Sequence, residues 1–201
     1  MGCICTEKNL FFLNSIYCKL HDPFKGPCHT LVKEMMKLPV SILPYNREKA
    51  CAYAQAWAKK RNPAYLDFGD YGGDCTNFIS QCLYAGSGVM DYTPVFGWYY
   101  NSSYNRAPAW TGVAYLSNYL LRSSLTSGPF AREIPQDLAQ PGDVIQLRGK
   151  QGLYHSLFVM ENQDGRILVA AHDFDALYRP LASYRPADFV LLHIEGVRSY
   201  Q

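Results

Sequence analysis

The most informative stretch of the chain covers residues 72–82 and reads Gly72-Gly73-Asp74-Cys75-Thr76-Asn77-Phe78-Ile79-Ser80-Gln81-Cys82. The paired glycines allow a tight turn and a close approach of the backbone to other groups. Asp74 is a favoured helix N-cap residue, so we expect its carboxylate to accept from the free amides of the first turn. The i, i+3, i+4, i+7 spacing that follows is typical of one buried helical face, here formed by Cys75, Phe78, Ile79 and Cys82. A helix over residues 75–85 that begins with a cysteine is therefore predicted.

The position of Cys75 in the first helical turn has a chemical consequence. The positive end of the helix dipole lowers the pKa of a cysteine there and favours the nucleophilic thiolate. Cys82 lies two turns further along, where a cysteine usually fills space in the core. We therefore expect Cys75 to be reactive and Cys82 to pack.

Composition excludes several classes of protein. The chain has 201 residues, 48% hydrophobic and 18% charged, with a net charge of +2. It contains no long basic cluster, so no nucleic-acid partner is expected. No apolar run approaches the roughly 18 residues of a membrane span. The seven cysteines are odd in number and argue against a fully paired disulfide framework.

Residues 1–44 differ from the rest of the chain, so we divide it into an N-terminal extension of unknown role and a domain over residues 45–201. The extension holds Cys3, Cys5, Cys18 and Cys28 without the C-x-x-C spacing of zinc sites. We expect neither a metal nor a cofactor. No export signal is recognisable, which predicts a protein inside the cell, unless the true start lies elsewhere, in which case secretion is expected.

Helical patterns dominate the first half of the domain and strands the second. Asn46 can cap a helix that ends at Asn62-Pro63, and a third helix is predicted near residues 111–122. Strands are predicted at 143–147, 154–161, 166–172 and 189–195. Helices followed by an antiparallel sheet indicate an α+β fold.

The second and third of these strands form a hairpin that carries two histidines. Asp164-Gly165 is a strong two-residue turn signal. With a two- or four-residue loop, His155 and His172 fall on the same face of the sheet. A three-residue loop would instead bring Asp173 to the face of His155. Both outcomes remain open from the sequence.

A cysteine at a helix start and a histidine on a strand suit nucleophilic catalysis. His155 would take the thiol proton to form a thiolate–imidazolium pair and later protonate the leaving amine. His172 would orient the His155 ring, with Asp173 and Asp175 as alternatives. Backbone amides at the start of the cysteine helix would stabilise the oxyanion, with Asp74 and Thr76 supporting the site.

These residues resemble a known family, the bacterial putative amidase domain family. The resemblance rests on matches in order along residues 45–195: Tyr45-Asn46-Arg47, Trp57, Arg61-Asn62-Pro63, the 72–82 stretch, Gly97-Trp98-Tyr99, Trp110, Pro141-Gly142-Asp143, Tyr154-His155-Ser156 and Ala171-His172 through Arg179-Pro180-Leu181. That family is similar to the NlpC-type papain-like cysteine hydrolases, in which an Asp-Cys pair opens a helix packed on an antiparallel sheet.

The resemblance implies a papain-like fold with Cys75 as nucleophile, His155 as base and His172 as orienting residue. It also implies amide hydrolysis, in the wider group often of cell-wall peptides, so a peptide or peptidoglycan-like substrate is expected. Two alternatives are an acyltransferase with the same chemistry and a non-catalytic domain that binds peptide or glycan. For either the enzyme or the binding domain, we expect Trp98, Tyr99 and Tyr100 to line the substrate cleft.

Overall fold

The computed structural model describes residues 40–123, 126–185 and 188–200. The N-terminal cysteines Cys3 to Cys28 lie outside these residues. The described part is a mixed α/β fold with a large antiparallel sheet and few helices, in agreement with the predicted combination of helices and antiparallel strands. No helix in the described ranges is long and apolar enough to cross a membrane.

Two helices hold the first half of the domain together. Helix α1 spans Arg47–Trp57, and its N-cap is Asn46, whose side chain accepts from the Lys49 amide at 2.9 Å as predicted. Helix α2 spans Cys75–Ser87 and packs against α1. The predicted third helix is divided at Gly112 into α3, Pro108–Thr111, and α4, Val113–Leu120.

The main sheet contains seven strands, with the bounds β1 Val40–Leu43, β4 Gly128–Glu133, β5 Val144–Gly149, β6 Gly152–Gln163, β7 Arg166–Ala171, β8 Ala176–Pro180 and β9 Asp188–Tyr200. Six of them follow one another in the order β1-β9-β5-β6-β7-β8, and β4 also pairs with β9. A separate pair joins β2, Tyr100–Ser102, to β3, Asn105–Arg106. Strand β1 lies within the segment that the sequence assigned to the extension, and it pairs with residues 197–200 of β9.

Both faces of the central strands are buried. Val144, Phe158 and Ala170 belong to the core that faces the helices. Ile145, Leu157 and Val169, their neighbours in sequence, belong to a second core on the other face. Since side chains alternate along a strand, two buried faces require almost continuously apolar strands.

The hairpin of β6 and β7 contains one irregularity that matters for the site. Asp164 and Gly165 both have positive φ and form the predicted two-residue turn. The pairing then shifts by one residue, because Met160 is bulged between Val159 and Glu161. Beyond the bulge Phe158 pairs with Ala170. Continued past the end of β7, this register places Asp173, and not His172, opposite His155.

Candidate active site

Three side chains from distant parts of the sequence meet at the start of α2. One atom each of Cys75 (Sγ), His155 (a ring nitrogen) and Asp173 (a carboxylate oxygen) lie within 4.8 Å of one another. Cys75 and His155 are buried, and Asp173 is half-buried. The structure therefore brings together the predicted nucleophile and base, and adds the residue that the sequence left as an alternative third member.

Asp173 caps the helix that carries the cysteine. Its carboxylate accepts from the Asp74 amide at 2.8 and 2.9 Å and from the Cys75 amide at 3.1 Å. Gly73 leaves room for this contact, since a Cβ there would lie 2.6 Å from the carboxylate, and its φ of +114° suits glycine. Asp74 occupies the N-cap position of the helix as predicted, but its side chain makes no cap hydrogen bond, so the expected contact of its carboxylate with the first-turn amides is wrong.

The Asp74 carboxylate is instead completely buried and paired with His172. The distance from Nδ1 of His172 to the carboxylate is 2.5 Å, and Nε2 donates to the Trp57 carbonyl at 3.0 Å. The two ring nitrogens are thus both engaged, one with the Asp74 carboxylate and the other with a backbone carbonyl. Neither nitrogen is available to His155. The predicted placement of His172 beside His155 is wrong, because the bulge at Met160 shifts the register by one residue.

The turn over residues 172–175 is anchored on either side of Asp173. Arg61 makes two parallel 3.0 Å hydrogen bonds to the Asp175 carboxylate, and Lys59 donates to its carbonyl. Burial of Asp175 opposes ionisation, but the hydrogen bonds and charge of Arg61 outweigh it, and the pKa of Asp175 lies below its ordinary value. Phe174, between the two aspartates, is exposed.

Burial decides the protonation of the cysteine and histidine. It raises the pKa of Cys75 to about 11; hydrogen bonds from the Ser156 backbone and from Thr76 oppose this, and the Asp173 charge adds to it. It also lowers the pKa of His155, with Asp173 acting in the opposite direction and Arg179 in the same one. The predicted low pKa of Cys75 is therefore wrong, because desolvation outweighs the helix dipole and Asp173 places a negative charge near the thiol.

Both pKa shifts work against a preformed ion pair at rest. Burial raises the pKa of Cys75 to about 11 and lowers that of His155, so the thiolate and the imidazolium are each disfavoured. The resting site holds a thiol beside a neutral imidazole.

A buried polar cluster lies behind the thiol. The hydroxyl oxygen of Thr76 is 3.8 Å from Sγ of Cys75 and 3.1 Å from the hydroxyl oxygen of Ser156. The side-chain amide of Gln146 donates to Ser156 at 3.3 Å and to the Val113 carbonyl at 2.8 Å. Thr76, Ser156 and Gln146 are all inaccessible to solvent. Thr76 thus contacts the reactive sulfur, as the prediction of a supporting role for it requires.

The predicted aromatic cleft needs a correction. Trp98 is completely buried, and its indole nitrogen donates to Ser80 in the core. The prediction that Trp98 lines the cleft is wrong, because Trp98 packs between the rings of Trp110 and Tyr119. Tyr99 and Tyr100 are half-buried, and the Tyr100 hydroxyl accepts from the Leu66 amide.

Cys82 is buried in the core that faces the helices, as predicted. Three residues that contribute to the site were given no role in it from the sequence: Arg61, Gln146 and Ser156. Gln146 could have been noticed, because a glutamine between Ile145 and Leu147 interrupts an otherwise apolar strand, and a polar group on a buried face needs specific partners.

The same cluster has the donor set of a metal site. A cysteine, a histidine and a carboxylate within 4.8 Å are ligands that Zn²⁺ accepts, and a tetrahedral ion would keep its fourth position open. Binding would displace the thiol proton, since the thiolate is the ligand.

Comparison with known proteins places the chain in a family. Residues 44–192 match the family described as "Putative amidase domain". The chain belongs to this family. It is also 36% identical over 141 residues to the uncharacterized protein YhbB of Bacillus subtilis (strain 168). That match covers 67% of this chain and 43% of YhbB, so the chain spans less than half of its relative. No solved structure matches.

Proposed function

We propose that this member of the amidase family is a cysteine hydrolase that cleaves an amide bond through an acyl-thioester on Cys75. The observation that supports it most is the meeting of a thiol, an imidazole nitrogen and a carboxylate within 4.8 Å at the start of a buried helix. Nucleophile and base come from elements 80 residues apart, α2 and β6. Such a convergence of reactive groups is typical of a catalytic site.

In this proposal His155 acts as a general base during the attack. The neutral imidazole takes the proton of the Cys75 thiol while sulfur bonds to the substrate carbonyl carbon. As the tetrahedral intermediate collapses, the C–N bond breaks and His155 gives the proton to the departing amine. Water then attacks the thioester with His155 again as base, which releases the acid and restores the thiol.

Asp173 accepts a hydrogen bond from the Cys75 backbone amide, which is the donor that an oxyanion would need. Of its three hydrogen bonds, the one from the Cys75 amide is the longest, at 3.1 Å. We infer that the oxyanion of the bound substrate takes this amide, while Asp173 keeps the bond from Asp74. The charge of Asp173 also raises the pKa of His155, which stabilises the imidazolium formed during the attack.

The arrangement supports a papain-like organisation as part of the proposal. A helix that begins at the cysteine packs on an antiparallel sheet that carries the histidine, with an acidic residue after the next strand. This is the order of the NlpC-type enzymes that the sequence resembles. Peptides of the bacterial cell wall are therefore the first substrate class to test.

The test compares Cys75→Ala with Cys51→Ala in the full chain. Cys51 is a free, half-buried cysteine on α1, so its variant controls for the loss of a thiol elsewhere. The substrates are a panel of peptidoglycan stem peptides and simple peptide amides, with released amine and Cys75 adduct mass as readouts. We expect turnover and an acyl adduct in Cys51→Ala and neither in Cys75→Ala.

Equal turnover in the two variants would refute the cysteine mechanism. The remaining alternatives have their own signatures in the same experiment. An acyltransferase would give a new amide when a competing amine is added. A binding domain would retain peptide affinity in Cys75→Ala and show no turnover in any variant.

A further inference from the structure

A hydrogen-bond relay leads from β5 to the reactive sulfur. It consists of the side chains of Gln146, Ser156 and Thr76, and its last oxygen lies 3.8 Å from Sγ of Cys75. Hydroxyl groups can donate or accept, so the contacts of Ser156 and Thr76 alone leave the direction of the relay undefined. Gln146 removes this ambiguity.

The orientation of the Gln146 amide follows from its second contact. The Val113 carbonyl, 2.8 Å from the side-chain nitrogen, can only accept a hydrogen bond, so the group facing it is NH₂ and not oxygen. The same nitrogen lies 3.3 Å from the Ser156 hydroxyl and donates its second hydrogen to it. Ser156 is therefore an acceptor on the Gln146 side.

The direction of the remaining bonds follows from the satisfaction of buried hydrogens. Ser156 can give its own hydrogen to Thr76 at 3.1 Å, and Thr76 can give its hydrogen to the sulfur. In the reverse direction Thr76 would donate to Ser156, and the hydrogen of Ser156 would find no acceptor among the described residues. A buried donor without a partner keeps its full desolvation penalty, so the direction toward sulfur is preferred.

We propose that Gln146 is a positioning residue that directs the Ser156 and Thr76 hydroxyls so that a hydrogen points at the Cys75 sulfur. A donor at this place stabilises the thiolate more than the thiol, because hydrogen bonds to an ionised acceptor are the stronger ones. Gln146 itself contacts neither the sulfur nor the candidate base. Its catalytic consequence rests on the proposed function, but its effect on the thiol does not.

The end of the relay is tested with a matched pair, Thr76→Val and Thr76→Ser, in the full chain. Valine keeps the shape of threonine without the hydroxyl, and serine keeps the hydroxyl. The readout is the rate of Cys75 alkylation by iodoacetamide at pH 8, measured on the Cys75 peptide by mass spectrometry. We expect the rate to fall about tenfold in Thr76→Val, because one hydrogen bond to a charged acceptor is lost, and to change less than about threefold in Thr76→Ser.

The origin of the relay is tested with Gln146→Met and the control Ser80→Ala. Methionine is similar in length to glutamine and has no donor. Ser80 is another buried hydroxyl of α2, and its hydrogen bonds go to Trp98 and to the Trp110 carbonyl and not to the relay. We expect Gln146→Met to slow alkylation about threefold and Ser80→Ala to leave it within about 1.5-fold, with thermal unfolding measured for both.

Two results would overturn the proposal. One is equal alkylation of Thr76→Val and Thr76→Ser. The other is a loss in Ser80→Ala as large as that in Gln146→Met, which would indicate a general packing effect. If alkylation follows the expectation but no variant hydrolyses any amide, the relay stands and the proposed function fails. With an active substrate, Gln146→Met should lower kcat and leave KM unchanged.

Discussion

The pH dependence of Cys75 alkylation gives the sharpest test of the site. The Asp173→Asn substitution removes the negative charge that lies beside the Cys75 thiol. With a pKa of about 11, the wild-type thiolate fraction at pH 8 is about 0.1%. An ordinary thiol with a pKa near 8.5 is about one quarter thiolate at that pH. We therefore expect Cys75 to react about 200-fold more slowly than an ordinary thiol, with a rate that still rises tenfold per pH unit at pH 10.

Removing the Asp173 charge should lower the Cys75 pKa. Sγ of Cys75 and a carboxylate oxygen of Asp173 lie within 4.8 Å of each other. At that largest separation, the repulsion between the carboxylate and a thiolate is between about 0.9 kcal/mol at a dielectric constant of 80 and about 3.5 kcal/mol at 20. These energies correspond to a fall of the pKa from about 11 to between about 10.4 and 8.5. Alkylation at pH 8 should accordingly become roughly four- to 200-fold faster. Asparagine retains an oxygen that can accept from the helix amides.

The assay uses short pulses of iodoacetamide between pH 6 and pH 10, quenched and mapped to the Cys75 peptide. Asp175→Asn is the matched control, because its carboxylate is paired with Arg61 and is not among the causes that shift the pKa of Cys75. We expect its profile to follow that of the wild type. An unchanged or slower rate in Asp173→Asn, or an equal acceleration in Asp175→Asn, would refute the assignment of Asp173 as the charge beside the thiol.

Three further outcomes follow from the structure. Gly73→Ala should have a lower melting temperature than Gly72→Ala. Both glycines adopt positive φ, which costs a residue with a Cβ about 1–2 kcal/mol, but only at Gly73 would the Cβ collide with Asp173. His172→Phe should lower the free energy of unfolding by about 3 kcal/mol in urea, because the buried Asp74 carboxylate loses its hydrogen bond to the imidazole, and a change below 1 kcal/mol would contradict this. Micromolar Zn²⁺ should block alkylation of the site cysteine, with full recovery after EDTA.

Local signals in the sequence were sufficient to predict the helix that starts at Cys75, the Asp164-Gly165 turn and the antiparallel order of β5, β6 and β7. Each depends on residues close together in the chain: a glycine pair, an apolar period, a two-residue turn. Strand β4 was missed, because its first residues, Gly128 and Pro129, argue against a strand. Proline is tolerated at the first positions of a strand or on an edge strand, where its missing N–H leaves no ladder hydrogen bond unmade, and β4 pairs only with β9 among the described strands.

The third member of the site could not be chosen from the sequence because it depends on one bulged residue. Residues 158–161 read Phe-Val-Met-Glu, and nothing in that order marks Met160 as unpaired. A one-residue shift moves every later side chain to the other face of a strand. The contact between Asp74 and His172 was hidden for a similar reason, since the two residues lie 98 positions apart in the chain.

Because of the bulge at Met160, the adjacent residues His172 and Asp173 contact different groups. His172 enters the core, stacks on Phe78 with ring centroids 4.1 Å apart and hydrogen-bonds the Asp74 carboxylate beneath the helix start. Asp173 stays at the boundary with solvent and binds the amides of the same helix start from above. The cysteine thus lies between a buried hydrogen-bonded pair and a half-buried carboxylate. The charge of that carboxylate adds to the burial that raises the pKa of Cys75 and opposes the burial that lowers the pKa of His155.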